Sequence, residues 1–260
     1  MAHPATKLRV RCTSQIVIPA RLASTRLPRK LLLRETGKSL IQHTYEAAQR
    51  AERPVGVCVA ADHAEIRDEV RSFGGCVEMT DPDAASGTDR VAEVARRLDD
   101  VDIVVNVQGD EPELSGSAID LAIRLLEEDP GAVMSTLATP IRSRRQLEDP
   151  ACVKVVFDCQ GRALYFSRSP IPHPRQWDDA LLSDHPAHFY QHIGLYAYRR
   201  EFLLQLAQMA PSELEKIEKL EQLRVLEAGH PIIVGVVDEP TIGIDTPEDY
   251  RAFVERCCDR

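Results

Sequence analysis

The sequence predicts an α/β fold in which a mostly parallel β-sheet is flanked by helices. In the first half of the chain, short runs rich in Val and Ile alternate with segments whose apolar residues recur every three or four positions. This alternation is typical of strand–helix–strand units with parallel pairing. From residue 152 the pattern changes to two β-type runs around a Gly-containing turn, which indicates a smaller lobe that contains a β-hairpin.

The composition limits the classes of protein to which the chain can belong. Its 260 residues are 43% hydrophobic and 28% charged, enough for a substantial core. A net charge of -9 argues against a general nucleic-acid binder. No apolar run approaches the ~18 to 20 residues of a membrane helix, so no membrane partner is expected. Seven cysteines without a CxxC pair are expected to be free thiols of a cytoplasmic protein.

In the first half, a strand predicted at residues 15–20 leads into a basic loop. Ser39 is a possible helix cap, and Gly74 with Gly75 stops a later helix. The remaining strands are predicted at residues 55–61, 76–80, 102–108 and 132–141, and the helices at 39–50, 62–73, 117–128 and from 86 onward.

In the second half, the hairpin strands are predicted at residues 153–158 and 163–167, followed by a proline-rich ordered loop at 169–188. Ser212 and Glu215 form a capping-box pattern at the start of a helix expected to run to residue 227. The buried face of that helix is predicted to carry Leu214, Ile217, Leu220, Leu223 and Leu226. The other elements are predicted at residues 192–198 and 232–237 as strands, and at 201–208 and 246–257 as helices.

The loop after the first strand concentrates positive charge in an acidic protein. It carries Arg21, Arg26, Arg29 and Lys30 and no acid. Arginine and lysine give charge-assisted hydrogen bonds to anionic oxygens, so this loop is a candidate cradle for a polyphosphate. The alternative is an ordinary solvated basic loop.

Two aspartates follow other predicted strands. Asp110 comes just after the apolar run at residues 103–105, and Asp245 comes after the run at 232–237. Ligands of open α/β sheets bind outside the carboxyl ends of the strands, so these acids and the basic loop could share one pocket. Carboxylates beside a polyphosphate favour Mg²⁺, which takes one or two carboxylates plus phosphate oxygens.

An ordered set of motifs resembles the sugar nucleotidyltransferases of GT-A-like (Rossmann-like) fold, most closely the 3-deoxy-manno-octulosonate (Kdo) cytidylyltransferases. The resemblance covers nearly the whole chain from residue 15. The motifs lie at residues 18–21 (IPAR), 23–28 (ASTRLP), 86–90 (SGTDR), 105–112 (VNVQGDEP), 163–168 (ALYFSR), 192–196 (HIGLY), 220–224 (LEQLR) and 243–249 (GIDTPED).

The resemblance implies that CTP activates Kdo, giving CMP-Kdo and pyrophosphate for lipopolysaccharide synthesis. It implies catalytic roles for Arg21, Lys30, Asp110 and Asp245, with the two aspartates holding Mg²⁺. The nucleotide would be bound by Ala20, Arg21, Arg26, Lys30, Ser86, Gly87, Thr88, Arg90 and Asp110. The sugar would be bound by Gln108, Arg168, His192, Tyr196, Glu221 and Gln222, where Arg168 and His192 could meet its carboxylate.

The expected organisation is an N-terminal tail at 1–14 and a single domain at 15–260. Its nucleotide-binding half is 15–141, and its sugar-binding half is 142–260, through which the resembled family is commonly homodimeric. One departure is that Arg29 and Leu31 stand where the family usually has Gly and Pro. Arg29 brings a side chain where close approach of the backbone is expected.

Three alternatives stay open at this point. The acidic sugar could be a sialic acid or an amino variant of Kdo. The chain could be a nucleotide-binding protein of the same fold without catalysis. A glycosyltransferase would usually show Asp-x-Asp after the central strand, where this chain has Gly109, Asp110 and Glu111.

Overall fold

The computed structural model describes residues 12–238 and 242–258. Within them the β-strands are β1 (Ser14–Ala20), β2 (Val57–Ala61), β3 (Cys76–Met79), β4 (Ile103–Asn106), β5 (Met134–Pro140), β6 (Lys154–Phe157), β7 (Ala163–Ser167), β8 (Tyr190–Arg199) and β9 (Ile232–Val236). The α-helices are α1 (Leu40–Ala48), α2 (Ala64–Ser72), α3 (Gly87–Ala95), α4 (Gly116–Glu128), α5 (Arg144–Glu148), α6 (Arg200–Leu206), α7 (Glu213–Glu218), α8 (Gln222–Glu227) and α9 (Pro247–Cys258). Short 3₁₀ turns lie at Lys30–Leu32 and Asp179–Leu182.

One sheet contains strands from both halves of the chain, in the order β3-β2-β1-β4-β8-β5-β9, and β6 and β7 extend it beside β8. The strands β1 to β4 pair in parallel, as do β5 and β9. The strand β8 lies antiparallel between β4 and β5. The predicted mostly parallel sheet, and the hairpin of β6 and β7, are therefore confirmed.

The core lies on both faces of this sheet. Along β1, Ile16 and Ile18 pack into one apolar cluster and Val17 into the other, because successive side chains of a strand point to opposite faces. Helices α1, α2, α4 and α9 cover the first face, and α3, α6 and α8 cover the second. Burial on both faces explains why these strands are continuously apolar in sequence.

The prediction of one continuous helix at residues 212–227 is wrong, because two helices, α7 and α8, lie there. Lys219 has φ 56° and ψ 48° in the left-handed region and separates α7 from α8. The break changes the direction of the chain, so the predicted apolar face does not continue across it. Leu220 and Leu223 are buried, whereas the side chain of Ile217 is 77% exposed. The capping box of Ser212 and Glu215 is confirmed.

Smaller differences concern the ends of elements. The short helix α5 was not predicted, although Ser143 caps it. The strand predicted at residues 102–108 is shorter and ends at Asn106. Residues 1–11 of the predicted tail lie outside the described residues, and Ser14 already belongs to β1. In the described part of the chain, no helix combines the length and apolarity needed to cross a bilayer.

Candidate active site

Three segments that are distant in sequence meet at the carboxyl edge of the sheet. Lys30, from the loop after β1, places Nζ 2.6 Å from Oδ2 of Asp110 and 3.1 Å from Oδ1 of Asp245. Arg26 places Nη2 2.9 Å from the same oxygen of Asp245. The backbone N-H of Ile244 donates to the carbonyl of Asp110 at 2.9 Å. The convergence expected from the ends of the strands is therefore present.

The sheet register accounts for this meeting. Strands β1 and β4 are parallel neighbours with Val17 opposite Asn106, so the loops that follow them leave the same edge. Gly109 permits their close approach, because a Cβ there would lie 3.1 Å from the carbonyl oxygen of Pro19. Thr44 Oγ1 also donates to the carbonyl of Gly109 at 2.9 Å. The loop that carries Asp110 is thus fixed against α1 and the end of β1.

A cavity of about 280 Å³ opens beside these residues. Its lining includes Arg21, Lys30, Gln108 and Asp110, and Gly87 from the first turn of α3. Arg21 Nη2 donates to the carbonyl of Ala84 at 3.0 Å, which ties the basic loop to the segment before α3. The cationic side chains of Arg21 and Lys30 and the carboxylate of Asp110 thus share one cavity, as binding of an anion together with a cation requires.

The start of α3 contributes a second wall. Ser86 caps the helix, and its Oγ accepts from the backbone N-H of Asp89 at 3.1 Å. A Cβ at Gly87 would stand 3.6 Å from the Pro19 ring, so the helix start lies directly against the end of β1. Thr88 is buried in the same turn. Free N-H groups at a helix start are suited to an anionic or polar ligand.

Two residues of the predicted nucleotide site, Ala20 and Arg90, have no exposed surface. Arg90 donates through Nη1 to the hydroxyl of Thr80 and the carbonyl of Asp81. Burial lowers the pKa of Arg90. Its Nε and Nη2 have no hydrogen-bond partner among the described residues. In this structure Arg90 therefore anchors the segment before α3 through hydrogen bonds to Thr80 and Asp81.

His192 and Tyr196 lie together on β8. His192 Nε2 is 2.9 Å from the hydroxyl of Thr136, and its ring centroid is 5.4 Å from that of Tyr196. Burial lowers the pKa of His192 to about 3, so its imidazole is neutral near pH 7. The Tyr196 hydroxyl donates to Oε1 of Gln222 at 3.3 Å. Burial, and then the charges of Glu221 and Glu111, raise the pKa of Tyr196.

Arg168 does not join this group. Its Nε donates to the carbonyl of Glu218 at 2.7 Å and its Nη1 to that of Pro150 at 3.0 Å. Nη2 lies 3.5 Å from the carbonyl of Lys219. The Arg168 guanidinium already donates hydrogen bonds to backbone carbonyls. In this structure it is therefore not positioned for the expected contact with the sugar carboxylate. Glu221 lines a different cavity of about 610 Å³ beside Arg224 and Asp89.

Glu111 was not among the residues predicted from the sequence, and the structure places it beside the site. Burial raises the pKa of its carboxyl to about 8, and the neighbouring charge of Asp110 adds to the rise. Its Oε1 would lie 3.6 Å from a Cβ at Gly194 of β8. The only sign of Glu111 in the sequence was that a second acid directly follows Asp110. Its contact with β8 is what distinguishes Glu111 from a surface residue.

Comparison with known proteins agrees with this geometry. A family described as Cytidylyltransferase matches residues 15–232. A 3-deoxy-manno-octulosonate cytidylyltransferase of Rhodopirellula baltica is 53% identical over 242 residues, 93% of this chain and 97% of that protein. One of Syntrophotalea carbinolica is 50% identical over 235 residues, 90% of this chain and 94% of that protein.

A solved structure gives the same result for the fold. The CMP:2-keto-3-deoxy-manno-octonic acid synthetase complexed with CTP matches with a TM-score of 0.88 and 40% identity. The match covers 95% of this chain and 99% of that one.

Proposed function

The chain belongs to the cytidylyltransferase family, and from this premise we propose that it activates Kdo with CTP, giving CMP-Kdo and pyrophosphate for lipopolysaccharide synthesis. The observation that carries the proposal is the position of Lys30 between Asp110 and Asp245, in a site where Arg21 lines the same cavity. A triphosphate needs these cations, and the curated relatives and the CTP-bound neighbour identify the nucleotide and the sugar.

In the reaction, the anomeric hydroxyl oxygen of Kdo bonds to the α-phosphorus of CTP. The bond from that phosphorus to the bridging oxygen of the β-phosphate breaks, pyrophosphate leaves with the electron pair, and the hydroxyl proton is released. Such transfers depend mainly on positioning and on neutralising charge. Lys30, Arg21 and Arg26 would bind the phosphates and stabilise the charge that develops on the leaving group.

The proposal includes Mg²⁺ held by Asp110 and Asp245. The donor set fits, because two carboxylates with side-chain exposures of 25% and 45% approach the same ammonium from different loops. Within the described residues no group of three or more His, Cys, Asp or Glu could hold a metal without help. A pair of carboxylates is the protein contribution that suits Mg²⁺ when phosphates complete its shell. When bound, the ion would supply positive charge at the α-phosphate.

The sugar would lie on the β8 side of the site. Gln108 lines the cavity beside Asp110, and Tyr196 with Gln222 offers polar atoms. His192 would give a neutral hydrogen bond, because burial keeps its imidazole uncharged. Of the carried-over sugar ligands, Arg168 would have to release backbone carbonyls before it could bind a carboxylate.

The test is CTP-dependent release of pyrophosphate in the presence of Mg²⁺ with a panel of acidic sugars that includes Kdo, 8-amino-Kdo and a sialic acid. Turnover with Kdo at the highest kcat/KM supports the proposal, and no turnover with Kdo defeats it. A preference for another sugar would reassign the substrate. Calorimetry then measures CTP binding with and without Mg²⁺, and tight binding that ignores Mg²⁺ without turnover would indicate a non-catalytic protein.

The proposal also includes a cytoplasmic location and a homodimer formed through the second half of the chain. Exposed apolar side chains on that half support the homodimer, since Leu164 and Ile217 are 62% and 77% exposed. Light scattering on the purified protein tests the dimer, and Leu164→Glu combined with Ile217→Glu should shift it to monomer. Fractionation of cells tests the location.

A further inference from the structure

Two buried polar atoms near Tyr196 have no hydrogen-bond partner among the described residues. They are Oε2 of Glu111 and Nε2 of Gln222. The two residues are 8% and 3% exposed. One atom belongs to a carboxyl and the other is an amide donor, and they lie in loop and helix segments more than a hundred residues apart. An unsatisfied buried polar group is unfavourable, so such atoms mark a place where a ligand can complete the hydrogen bonds.

The strand β8 is irregular where it passes Glu111. The register between β5 and β8 shifts where Thr136 pairs with Tyr196 but Leu137 pairs with Ile193. The residues between those partners, Gly194 among them, form a bulge in β8. Bulges of this kind occur next to active sites, where they redirect the chain.

Gly194 also connects Glu111 to the open cavity. A Cβ at Gly194 would stand 3.6 Å from Oε1 of Glu111 and 4.0 Å from Cγ of Gln108. Gln108 lines the cavity together with Asp110, and the backbone N-H of Glu111 donates to the carbonyl of Gln108. The Glu111 carboxyl therefore lies one residue from a candidate metal ligand and directly beside the region proposed for the sugar.

We propose that Glu111 is a specificity-determining residue whose carboxyl forms a hydrogen bond with a hydroxyl group of the sugar. This inference rests on the proposed function, since the sugar is the ligand that would occupy the β8 side of the site. A hydroxyl can both donate and accept, so it supplies the partner that Oε2 lacks in either protonation state of the carboxyl. A site with a buried acceptor discriminates strongly against an analogue without the matching hydroxyl, because the acceptor is then left unpaired.

The test compares Glu111→Met and Glu111→Gln with the wild type by steady-state kinetics and thermal unfolding. Methionine keeps most of the volume and removes the hydrogen-bonding oxygens. We expect Glu111→Met to raise KM for Kdo at least tenfold and to leave KM for CTP within twofold. Its Tm without ligand should be equal or higher, because an unsatisfied buried group has been removed. Glu111→Gln keeps one acceptor oxygen and should retain more of the affinity for Kdo.

A series of singly deoxygenated Kdo analogues identifies the contact. Glu111→Met should use the analogue without the contacting hydroxyl at least as well as the wild type does, because only the wild type is then left with an unpaired carboxyl. The exposed Glu255→Gln is the control and should match the wild type throughout. If Glu111→Met folds and its KM for Kdo stays within twofold, the proposal is overturned. If Glu111→Met does not fold, Glu111→Gln with the analogue series decides, and equal losses for every analogue would overturn it.

Failure of the inference is separable from failure of the proposed function. If the wild type releases no pyrophosphate with CTP and Kdo, the proposed function fails. If the wild type turns over and both Glu111 variants keep its preference among the analogues, only the role of Glu111 fails.

Discussion

The ammonium of Lys30 lies 2.6 Å from Oδ2 of Asp110, a residue eighty positions away in the chain. Both side chains are largely withdrawn from solvent, at 12% and 25% exposure. The same ammonium is 3.1 Å from Asp245. The ammonium that would bind a triphosphate and the carboxylates that would bind a cation are thus already held together in the protein without a ligand.

Replacing Lys30 by methionine should lower kcat about 100-fold, because a preorganised donor to the leaving pyrophosphate is lost. The measurement is pyrophosphate release at saturating CTP and Kdo. Lys38→Met is the matched control, since Lys38 also pairs with a carboxylate, that of Glu46 at 2.6 Å. A kcat for Lys30→Met within threefold of wild type would contradict the role of Lys30.

His192 should make the free energy of unfolding depend on pH. Burial lowers its pKa from the ordinary 6.5 to about 3, so between these values the unfolded chain binds a proton that the folded protein does not. The stabilisation is complete above pH 6.5 and is lost as the pH falls toward 3. Denaturant unfolding at pH 7.5 and 5.0 should show a loss about 2 kcal/mol larger for the wild type than for His192→Asn. The exposed His173→Asn should follow the wild type. Equal losses in wild type and His192→Asn would show that His192 titrates normally.

Arg168→Ala should destabilise the protein in the absence of any substrate. Its guanidinium donates to the carbonyls of Glu218 and Pro150, and charged hydrogen bonds of this kind contribute about 2 kcal/mol. The free energy of unfolding, measured with denaturant, should fall by about 2 to 3 kcal/mol. The surface variant Arg251→Ala should stay within about 0.5 kcal/mol of wild type. Unchanged stability with a raised KM for Kdo would instead restore Arg168 as a sugar ligand.

Arg29→Gly should raise Tm slightly. Arg29 has φ 55° and ψ 28°, a left-handed conformation that glycine adopts without steric strain. The ion pair with Glu65 is lost in the variant, but both side chains are about half exposed and such pairs contribute little. We expect a rise of about 1 to 3 °C. Arg67→Gly, at a regular position of α2, should lower Tm because glycine weakens a helix interior. A fall in Tm for Arg29→Gly would show that the ion pair outweighs the strain.

The sequence was informative where chemistry and strand ends coincide. Lys30 belongs to the basic loop after β1, and Asp110 and Asp245 follow strongly apolar runs. Parallel strands bring the positions after their ends to one edge of the sheet. The glycine expected at residue 29 from the resemblance would suit the left-handed backbone that Arg29 adopts there. In each case a local pattern determined a contact that the topology then completed.

Other features depend on contacts that no local pattern contains. Lys219 breaks a helix without a Gly or Pro to mark it, while the leucine spacing continues across the break. Arg168 lies in a matching motif, yet the carbonyls that occupy it belong to Pro150 and to the end of α7. Glu111 became a candidate only through its distance to β8. Unlike the meeting of strand ends, these three features have no marker in the local sequence and could not be predicted from it.

The reversed strand β8 also restricts how the enzyme can move. It is hydrogen-bonded to β4 on one side and to β5 on the other, so a strand from the second half of the chain lies between two strands from the first half in one continuous ladder. Separating the two halves of the chain as rigid bodies would break the hydrogen bonds of β8 to β4 and to β5. We therefore expect substrate entry and product exit to depend on the loops around the cleft and not on separation of the two halves of the chain.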